Sequence, residues 1–271
     1  MTDFDRVKAY YRIFPEEDRF KIMGFSGIME YEMTMRIFAK YMGWNRTVLD
    51  LGGGAGVYSI PLAKAGNKVY LADLSERLIE VAKQRDEDKQ LICNVVNATD
   101  LSIYEDSMFD TVLLMGPLYH LLEAPEREQC VRECYRVLKK GGRIFASFIP
   151  YLSGSIGIVE RYIGHPEQVD INNLKEVFAS GKFKNNANSG FQEGYYPTSK
   201  EIEKMFDDCG FSKLEIRSIR GFGDGREEYI YKIEDEAIRN EIFSLIEQTA
   251  TDDCIVETCS HAMYIGEKVG K

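Results

Sequence analysis

The chain has 271 residues, 44% of them apolar and 29% charged, a composition that builds a packed globular core and excludes a disordered chain. Its 34 basic against 44 acidic residues leave a formal charge of −10, which repels a phosphate backbone and argues against a nucleic-acid partner. Nowhere do about 18 apolar residues run together, so no membrane span is expected, and the acidic start Met1-Thr2-Asp3-Phe4-Asp5-Arg6 does not read as a secretory leader.

Residues 1–45 read as a helical cap rich in aromatics: Phe4, Tyr10, Tyr11, Phe14, Tyr31, Phe38 and Tyr41. Most of these are expected in the core. Thr47-Val48-Leu49-Asp50-Leu51 then reads as a buried strand, followed by glycines and a helix over 57–65. Lys68 to Ala72 is a second strand, and Ser75 caps a helix carrying Leu78, Ile79 and Ala82 on one face. The charged run Gln84-Arg85-Asp86-Glu87-Asp88-Lys89-Gln90 reads as a solvated helix end. Strands follow over 91–96 and 111–115. A helix over 125–138 is expected to stop at Lys139-Lys140-Gly141-Gly142, before a strand over 143–149. Residues 151–197, rich in Gly, Asn and Tyr, break the pattern and read as a loop-rich insertion or lid. Thr198, with Glu201 three residues on, opens a helix to Cys209. Phe211 to Ile219 and His261 to Val269 are two closing strands, separated by a mostly helical acidic insertion at 224–258.

Strands alternating with helices mean βαβ units and a doubly wound, mostly parallel α/β sheet, here of seven strands. The expected units are the cap at 1–45, a ligand-binding core at 46–150, the lid at 151–197 and a C-terminal part of the core at 198–271. Ligands of such sheets bind at the carboxyl ends of the strands, where strand order reverses. Residues after Leu51, Ala72, Val96 and Met115 should therefore converge.

Asp50-Leu51-Gly52-Gly53-Gly54-Ala55-Gly56 joins a buried strand to a helix. Gly52, Gly54 and Gly56 let the main chain turn tightly and approach a ligand, and the helix start supplies free N–H groups. The bland alternative is a tight turn without a ligand. A dinucleotide site wants G-x-G-x-x-G, but Val57 and Ser59 stand where its third glycine belongs. With D-x-G-x-G-x-G instead, Val48 to Gly56 resembles motif I of the class I S-adenosylmethionine-dependent methyltransferases. Asn97-Ala98-Thr99-Asp100-Leu101 is similar to the family's adenine-contacting segment, with Asn97 for its usual Asp. Phe109 to Leu114 resembles its fourth strand. Val137-Leu138-Lys139-Lys140-Gly141-Gly142-Arg143 resembles its following turn, with Lys140 for proline. The likeness covers about residues 47–149 and lies nearest the ubiquinone/menaquinone-biosynthesis branch, methyltransferase type 11.

The resemblance implies a Rossmann-like methyltransferase fold and S-adenosyl-L-methionine as cofactor, with S-adenosyl-L-homocysteine as product. Asp50, Gly52, Gly54 and Gly56 would shape the methionine and ribose end. Asp73 would hold the ribose, with helix N-capping as its structural alternative. Leu74 would pack on adenine, Asn97 and Ala98 would line its edge, and Met115 and Gly116 would sit near the sulfonium. The reaction implied is in-line displacement onto a small-molecule acceptor, in which the protein aligns the partners and excludes water.

Met115-Gly116-Pro117-Leu118-Tyr119-His120 falls where acceptor and methyl should meet. Tyr119 and His120 are the candidate catalytic groups, His120 as a base. Packing for Tyr119 and a structural hydrogen bond for His120 are the alternatives. Tyr11, Tyr195 and Tyr196 are the candidate acceptor-pocket aromatics. Arg161 and His165 read as surface residues. Gly116-Pro117-Leu118-Tyr119 lacks the leading polar residue of amino-methylating enzymes, which disfavours base methylation. No metal is expected: no carboxylate cluster follows Met115, and Cys130 and Cys134 lack further soft ligands. The six thiols, Cys93, Cys130, Cys134, Cys209, Cys254 and Cys259, are expected to be reduced in a cytoplasmic protein. The aromatic-rich N-terminal region could support a homodimer. A non-catalytic cofactor-binding protein and a nicotinamide-dependent oxidoreductase are the alternative functions.

Overall fold

A computed structural model gives the fold and describes residues 2–185 and 193–270. Seven strands form one sheet: β1 (Thr47–Leu51), β2 (Lys68–Asp73), β3 (Ile92–Val95), β4 (Phe109–Leu114), β5 (Leu138–Phe148), β8 (Phe211–Ser218) and β9 (Ala262–Lys268). Between β5 and β8 in the chain, β6 (Lys182–Lys184) and β7 (Glu193–Tyr195) form a separate hairpin. The main sheet runs β3-β2-β1-β4-β5-β9-β8. The first five strands pair in parallel, and β9 enters antiparallel between β5 and β8. Strand order reverses between β1 and β4, which fixes the crevice beyond their carboxyl ends.

The sheet is buried on both faces, as parallel sheets require. Side chains alternate between two cores with the period of two that a strand imposes. Leu49, Val112, Leu114, Ile144 and Tyr264 face one core, where helices α7 (Ala124–Val137) and α10 (Ser199–Asp208) contribute Cys130, Cys134 and Phe206. Val48, Leu113, Phe145 and Met263 face the other, where α3 (Phe25–Tyr41) and α12 (Glu236–Thr249) contribute Met29, Met33, Phe38 and Phe243. The Cys130 and Cys134 thiols are thus core filling on one helix face.

The helix caps follow the expected chemistry. Ser75 Oγ accepts from Leu78 N at the start of α5 (Glu76–Arg85). Thr198 and Glu201 close a reciprocal capping box on α10. Three expectations needed correction. Lys139-Lys140-Gly141-Gly142 belongs to β5, not to a helix stop. Leu138 pairs with Phe109 and Arg143 with Thr111, so the intervening residues bulge out of the ladder with Gly141 at φ +74°. The segment 151–197 is largely regular among its described residues: α8 (Tyr151–Gly164), α9 (Ile171–Ser180) and the β6–β7 hairpin enclose Ile158, Tyr162, Val177, Phe183 and Tyr196. Gly154, inside α8, is a packing requirement, since a Cβ there would come within 2.3 Å of the Tyr196 ring. The acidic insertion is three helices, α11 (Glu227–Tyr231), α12 and α13 (Asp253–Thr258), because Asp235 and Asp252 each cap a new start.

No helix of the described residues is long and apolar enough to cross a membrane.

Candidate cofactor and acceptor site

One cavity of about 1080 Å³, counting its open mouth, lies at the β1/β4 switch point. Its floor is the Gly52–Ala55 loop after β1, Asp73 and Leu74 at the end of β2, Val96 to Ala98 after β3, and Met115 to Pro117 after β4. Helix α1 (Phe4–Ile13), the turn that follows it and the start of the short helix α2 (Arg19–Ile22) roof the cavity. Two glycines let the loops meet. Gly52 has φ +79°, and a Cβ on it would fall 2.6 Å from Pro117 Cδ. The backbone N–H groups of Gly52 and Gly53 donate to the Ala72 carbonyl, tying the loop to β2. Gly56 does not line the cavity; it turns the chain into α4 (Ser59–Lys64) at φ +79°.

Two carboxylates organise the floor. Asp73 accepts from Gly54 N at 3.0 Å and Ser75 N at 2.8 Å, so it joins the two loops, while Ser75 is the cap of α5. Burial raises the Asp73 pKa, and these main-chain donors oppose the rise. Asp50 is fully buried under the loop, where a Cβ on Gly53 would come within 2.7 Å of its carboxyl carbon. Ser59 Oγ donates to Asp50 Oδ2 at 2.7 Å, but Oδ1 has no partner among the described residues. Burial pushes the Asp50 pKa up to about 6. Asn97 lines the cavity with its side-chain oxygen engaged. Its Oδ1 accepts from Thr99 N and Oγ1 at 3.1 and 3.0 Å, so its amide N–H donors suit a ring nitrogen better than an exocyclic amine.

At the far end, Tyr119 and His120 lie on the single turn α6 (Pro117–His120), and α1 brings Tyr11 against them. The Tyr11 hydroxyl and His120 Nε2 are 2.9 Å apart. Burial lowers the His120 pKa to about 4, opposed by a hydrogen bond to the Glu193 main chain. A bond that favours the protonated ring is one in which the ring donates to the carbonyl. The neutral ring then presents its lone pair to Tyr11, whose hydroxyl donates. Burial also raises the Tyr11 pKa well above its ordinary value, so that hydroxyl keeps its proton.

Tyr195 and Tyr196 are not in the cavity. The Arg127 guanidinium lies 3.5 Å from the Tyr195 ring centre and donates to the Leu121 and Leu122 carbonyls, so Tyr195 braces the chain after α6 from outside. Tyr196 is buried against Gly154. As expected, Arg161 and His165 are peripheral, bonding Gln168 and pairing with Glu167.

Sequence reasoning missed most of the roof. Phe4, Val7, Lys8 and Tyr11 line the cavity from one face of α1; Tyr11 was expected there, Phe4 was expected in the core, and Val7 and Lys8 were not singled out although the stripe has helical spacing. Tyr10 instead stacks on Phe14, with centroids 5.2 Å apart. Glu16 and Arg19 also line the cavity and carried no signal, because a short turn after Pro15 has no period to read. Arg19 Nη2 reaches Glu30 at 2.6 Å, and Glu30 pairs with His261 at 3.3 Å. Burial works against the Glu30 charge, but His261 and Arg19 hold its pKa down to about 2.

The cavity fits S-adenosylmethionine. Its glycine cradle has no room for Cβ atoms at Gly52 and Gly53, Asp50 Oδ1 is an orphaned acceptor for an ammonium, and Asp73 keeps lone pairs for ribose hydroxyls. Among the described residues, no group of three His, Cys, Asp or Glu could gather a metal ion.

Comparison with known proteins points the same way. The family described as "Methyltransferase domain" matches residues 49–146. A ubiquinone biosynthesis O-methyltransferase of Coxiella burnetii is 38% identical over 104 residues, which is 38% of this chain and 43% of the relative's length. A demethylmenaquinone methyltransferase of Oceanobacillus iheyensis is 30% identical over 184 residues, 65% of this chain and 73% of the relative. The crystal structure of a S-adenosylmethionine-dependent methyltransferase of Methanosarcina mazei superposes with TM-score 0.61 at 21% identity, over 87% of this chain and 98% of that one, and so shares the fold. A seven-stranded sheet with one reversed strand, a glycine loop answered by an acidic residue on the next strand, and this kinship together mean that the chain belongs to the class I S-adenosylmethionine-dependent methyltransferases.

Proposed function

We propose that the protein transfers a methyl group from S-adenosylmethionine to the hydroxyl of a small aromatic acceptor. The observation that carries this reading is the single cavity running from Asp73 and the glycine loop to the Tyr11–His120 pair. Gly52 to Gly54 and Asp50 receive the methionine end, Asp73 holds the ribose, and Leu74, Asn97 and Ala98 border the adenine. Arg19 offers a guanidinium to the carboxylate of the methionine end. When bound, the cofactor supplies a methyl group already activated by its sulfonium, so the chain's task is alignment and exclusion of water. Phe4, Val7 and Leu121 give the acceptor end an apolar wall suited to a ring.

His120 acts as the base. The acceptor's proton passes to Nε2 through the Tyr11 hydroxyl. A weakly basic ring suffices, because an oxygen that is gaining a methyl group sheds its proton readily. In-line displacement is the geometry that an acceptor between α1 and α6 permits. The segment 151–197 frames this end: the Glu193 main chain bonds His120, and the Glu193 side chain accepts from Asp3 N at 3.3 Å. Within residues 1–45, Phe4 to Phe20 supply the roof. The names of the relatives, one for O-methylation in ubiquinone biosynthesis and one for demethylmenaquinone, support an acceptor of hydroxylated or quinone-ring type.

The test is calorimetric titration with S-adenosylhomocysteine and, separately, NAD, followed by transfer of labelled methyl to a panel of catechols and hydroquinones. Binding of the homocysteine compound alone, with label appearing on an acceptor oxygen, is expected. Binding of NAD instead would sink the reading. Label that never leaves the cofactor would favour a binding protein of the same fold.

A further inference from the structure

Glu16 is a carboxylate that the fold delivers into the cavity. It sits in the turn Glu16–Asp18 after Pro15, and its side chain rests on the glycine loop. A Cβ on Gly54 would lie 3.4 Å from Glu16 Cγ, an ordinary contact distance from the loop that binds Asp73. Its ion-pair partner is Arg19, with Nε 3.4 Å away. That guanidinium is already bound to Glu30 at 2.6 Å, so one cation serves two carboxylates. The groups facing Glu16 are Glu17 of its own turn, Arg19, Glu30 of α3, Asp73 of β2, Tyr10 and Tyr11 of α1, and Tyr119 of α6. Glu16 lines the same cavity as Asp73 and the Tyr11–His120 pair and rests on the glycine loop, the part of the floor to which the cofactor reading above assigns the methionine end and its sulfur. Counting the lining, Glu16, Asp50 and Asp73 oppose Lys8 and Arg19, an excess of negative charge in a partly enclosed space.

We infer that Glu16 reads the charge of the bound cofactor: its carboxylate favours the sulfonium of S-adenosylmethionine over the neutral sulfide of S-adenosylhomocysteine. This rests on the cofactor reading above. A carboxylate beside a full positive charge gains attraction that the sulfide cannot return, and the low-dielectric wall strengthens it. Once the methyl group has left, the attraction is gone, and the product is held less tightly than the substrate. The site therefore discriminates against its own product through one residue of the roof.

Burial pushes the Glu16 pKa up to about 7, with Arg19 opposing the shift and Asp73 adding to it. In the free protein, binding the sulfonium requires the ionised carboxylate. Affinity for S-adenosylmethionine should accordingly rise with pH and level off above about 7. Affinity for S-adenosylhomocysteine should lack that component.

The experiment is calorimetric titration of the full chain with S-adenosylmethionine, S-adenosylhomocysteine and sinefungin, whose amine supplies a positive charge at the sulfur position. Parent, Glu16→Gln and Glu17→Gln proteins are compared at pH 6 and pH 8. Glu17 pairs with Arg77 at 2.7 Å on the neighbouring surface and controls for a general effect of removing charge from this turn. In Glu16→Gln, the preference for S-adenosylmethionine and sinefungin over S-adenosylhomocysteine should fall roughly tenfold and lose its pH dependence. In Glu17→Gln both should persist. Retained S-adenosylhomocysteine binding shows that the variant is folded. If the parent binds all three and Glu16→Gln keeps the parent's ratio, the inference falls and the methyltransferase reading stands. If the parent binds none of them, both fall.

Discussion

Asp73 and His120 carry opposite ends of the site, and each makes a separable claim. Asp73 spends one lone pair of each oxygen on the main chain of the loops it joins. Replacing it with Ala removes the tie to the glycine loop and, on the proposed function, the ribose contact. Two hydrogen bonds to a charged group, at roughly 1.5 kcal/mol each, amount to about a hundredfold. Titration of Asp73→Ala with S-adenosylhomocysteine should show a loss of that size; affinity equal to the parent's would remove Asp73 from the site.

His120 makes a pH prediction. Its ring stays neutral in the folded protein down to about pH 4, whereas in the unfolded chain it takes a proton below about 6.5. Between these values the unfolded state binds more protons, so this group's contribution to stability rises with pH across that window and is lost as pH falls. Because the ring keeps some surface toward the cavity, the discounted effect is about 2 kcal/mol. Denaturation of parent and His120→Gln at pH 4.5 and 7 should reveal a stability difference that grows with pH. Methyl transfer by the variant should fall by about a hundredfold, the weight of a general base. Glu16 and Asp50 have raised pKa values and tilt the parent's own profile the other way, so the comparison between variants is the informative one.

At the scale of elements, α1 is positioned by its ends rather than by its own length. Thr2 Oγ1 donates to Glu126 at 2.5 Å and accepts from Leu122 N at 2.9 Å, while Asp3 caps the helix by accepting from Arg6 N. These ties set the face bearing Phe4, Val7 and Tyr11 over the cavity. The small unit of α8, α9 and the β6–β7 hairpin makes a different prediction. Gly154→Ala would force a methyl group against the Tyr196 ring and cost about 2 kcal/mol by overpacking. Urea unfolding should register that loss while S-adenosylhomocysteine affinity stays at the parent's value. An affinity that fell in parallel would mean that this unit also shapes the cofactor end.

For the whole molecule, cofactor binding should couple to folding, because the cavity is assembled from four strand ends and the roof and does not exist in the unfolded chain. With S-adenosylhomocysteine at a hundred times its dissociation constant, linkage adds about 2.7 kcal/mol. For a chain of this size that corresponds to a rise in Tm of roughly 5–10 °C, read by calorimetry. NAD should leave Tm unchanged, which separates the two nucleotide readings of the glycine loop by a second route.

The central sheet was legible because its signals are local. β1, β2 and β4 are short apolar runs, Ser75 and Thr198 are caps, and Gly52, Gly54 and Gly56 follow a strand; each needs only neighbours in sequence to be recognised. The same locality marked Asp50, Asp73, Met115 and Gly116, which stand in the last residues of a strand or just beyond it, and topology carries strand ends to one edge. Where a local rule met a tertiary demand, it failed. Gly141 and Gly142 obey the rule for a helix stop, yet pairing with β4 draws them into a bulged strand. Gly154 and Tyr196 are an ordinary glycine and tyrosine until α8 is laid against them. Tyr195 and Tyr196 are adjacent, so one braces Arg127 and the other fills a core, while neither reaches the cavity. The sequence by itself determined the fold class, through periodicity, and marked the cavity's floor, through strand ends, glycine spacing and likeness to a family. Only the tertiary structure decided the roof, the Tyr11–His120 pair and the charge cluster of Glu16, Arg19, Glu30 and His261. Those contacts join residues up to 231 positions apart, as in Glu30 and His261, and no pattern along a chain records which distant side chains a folded core will press together.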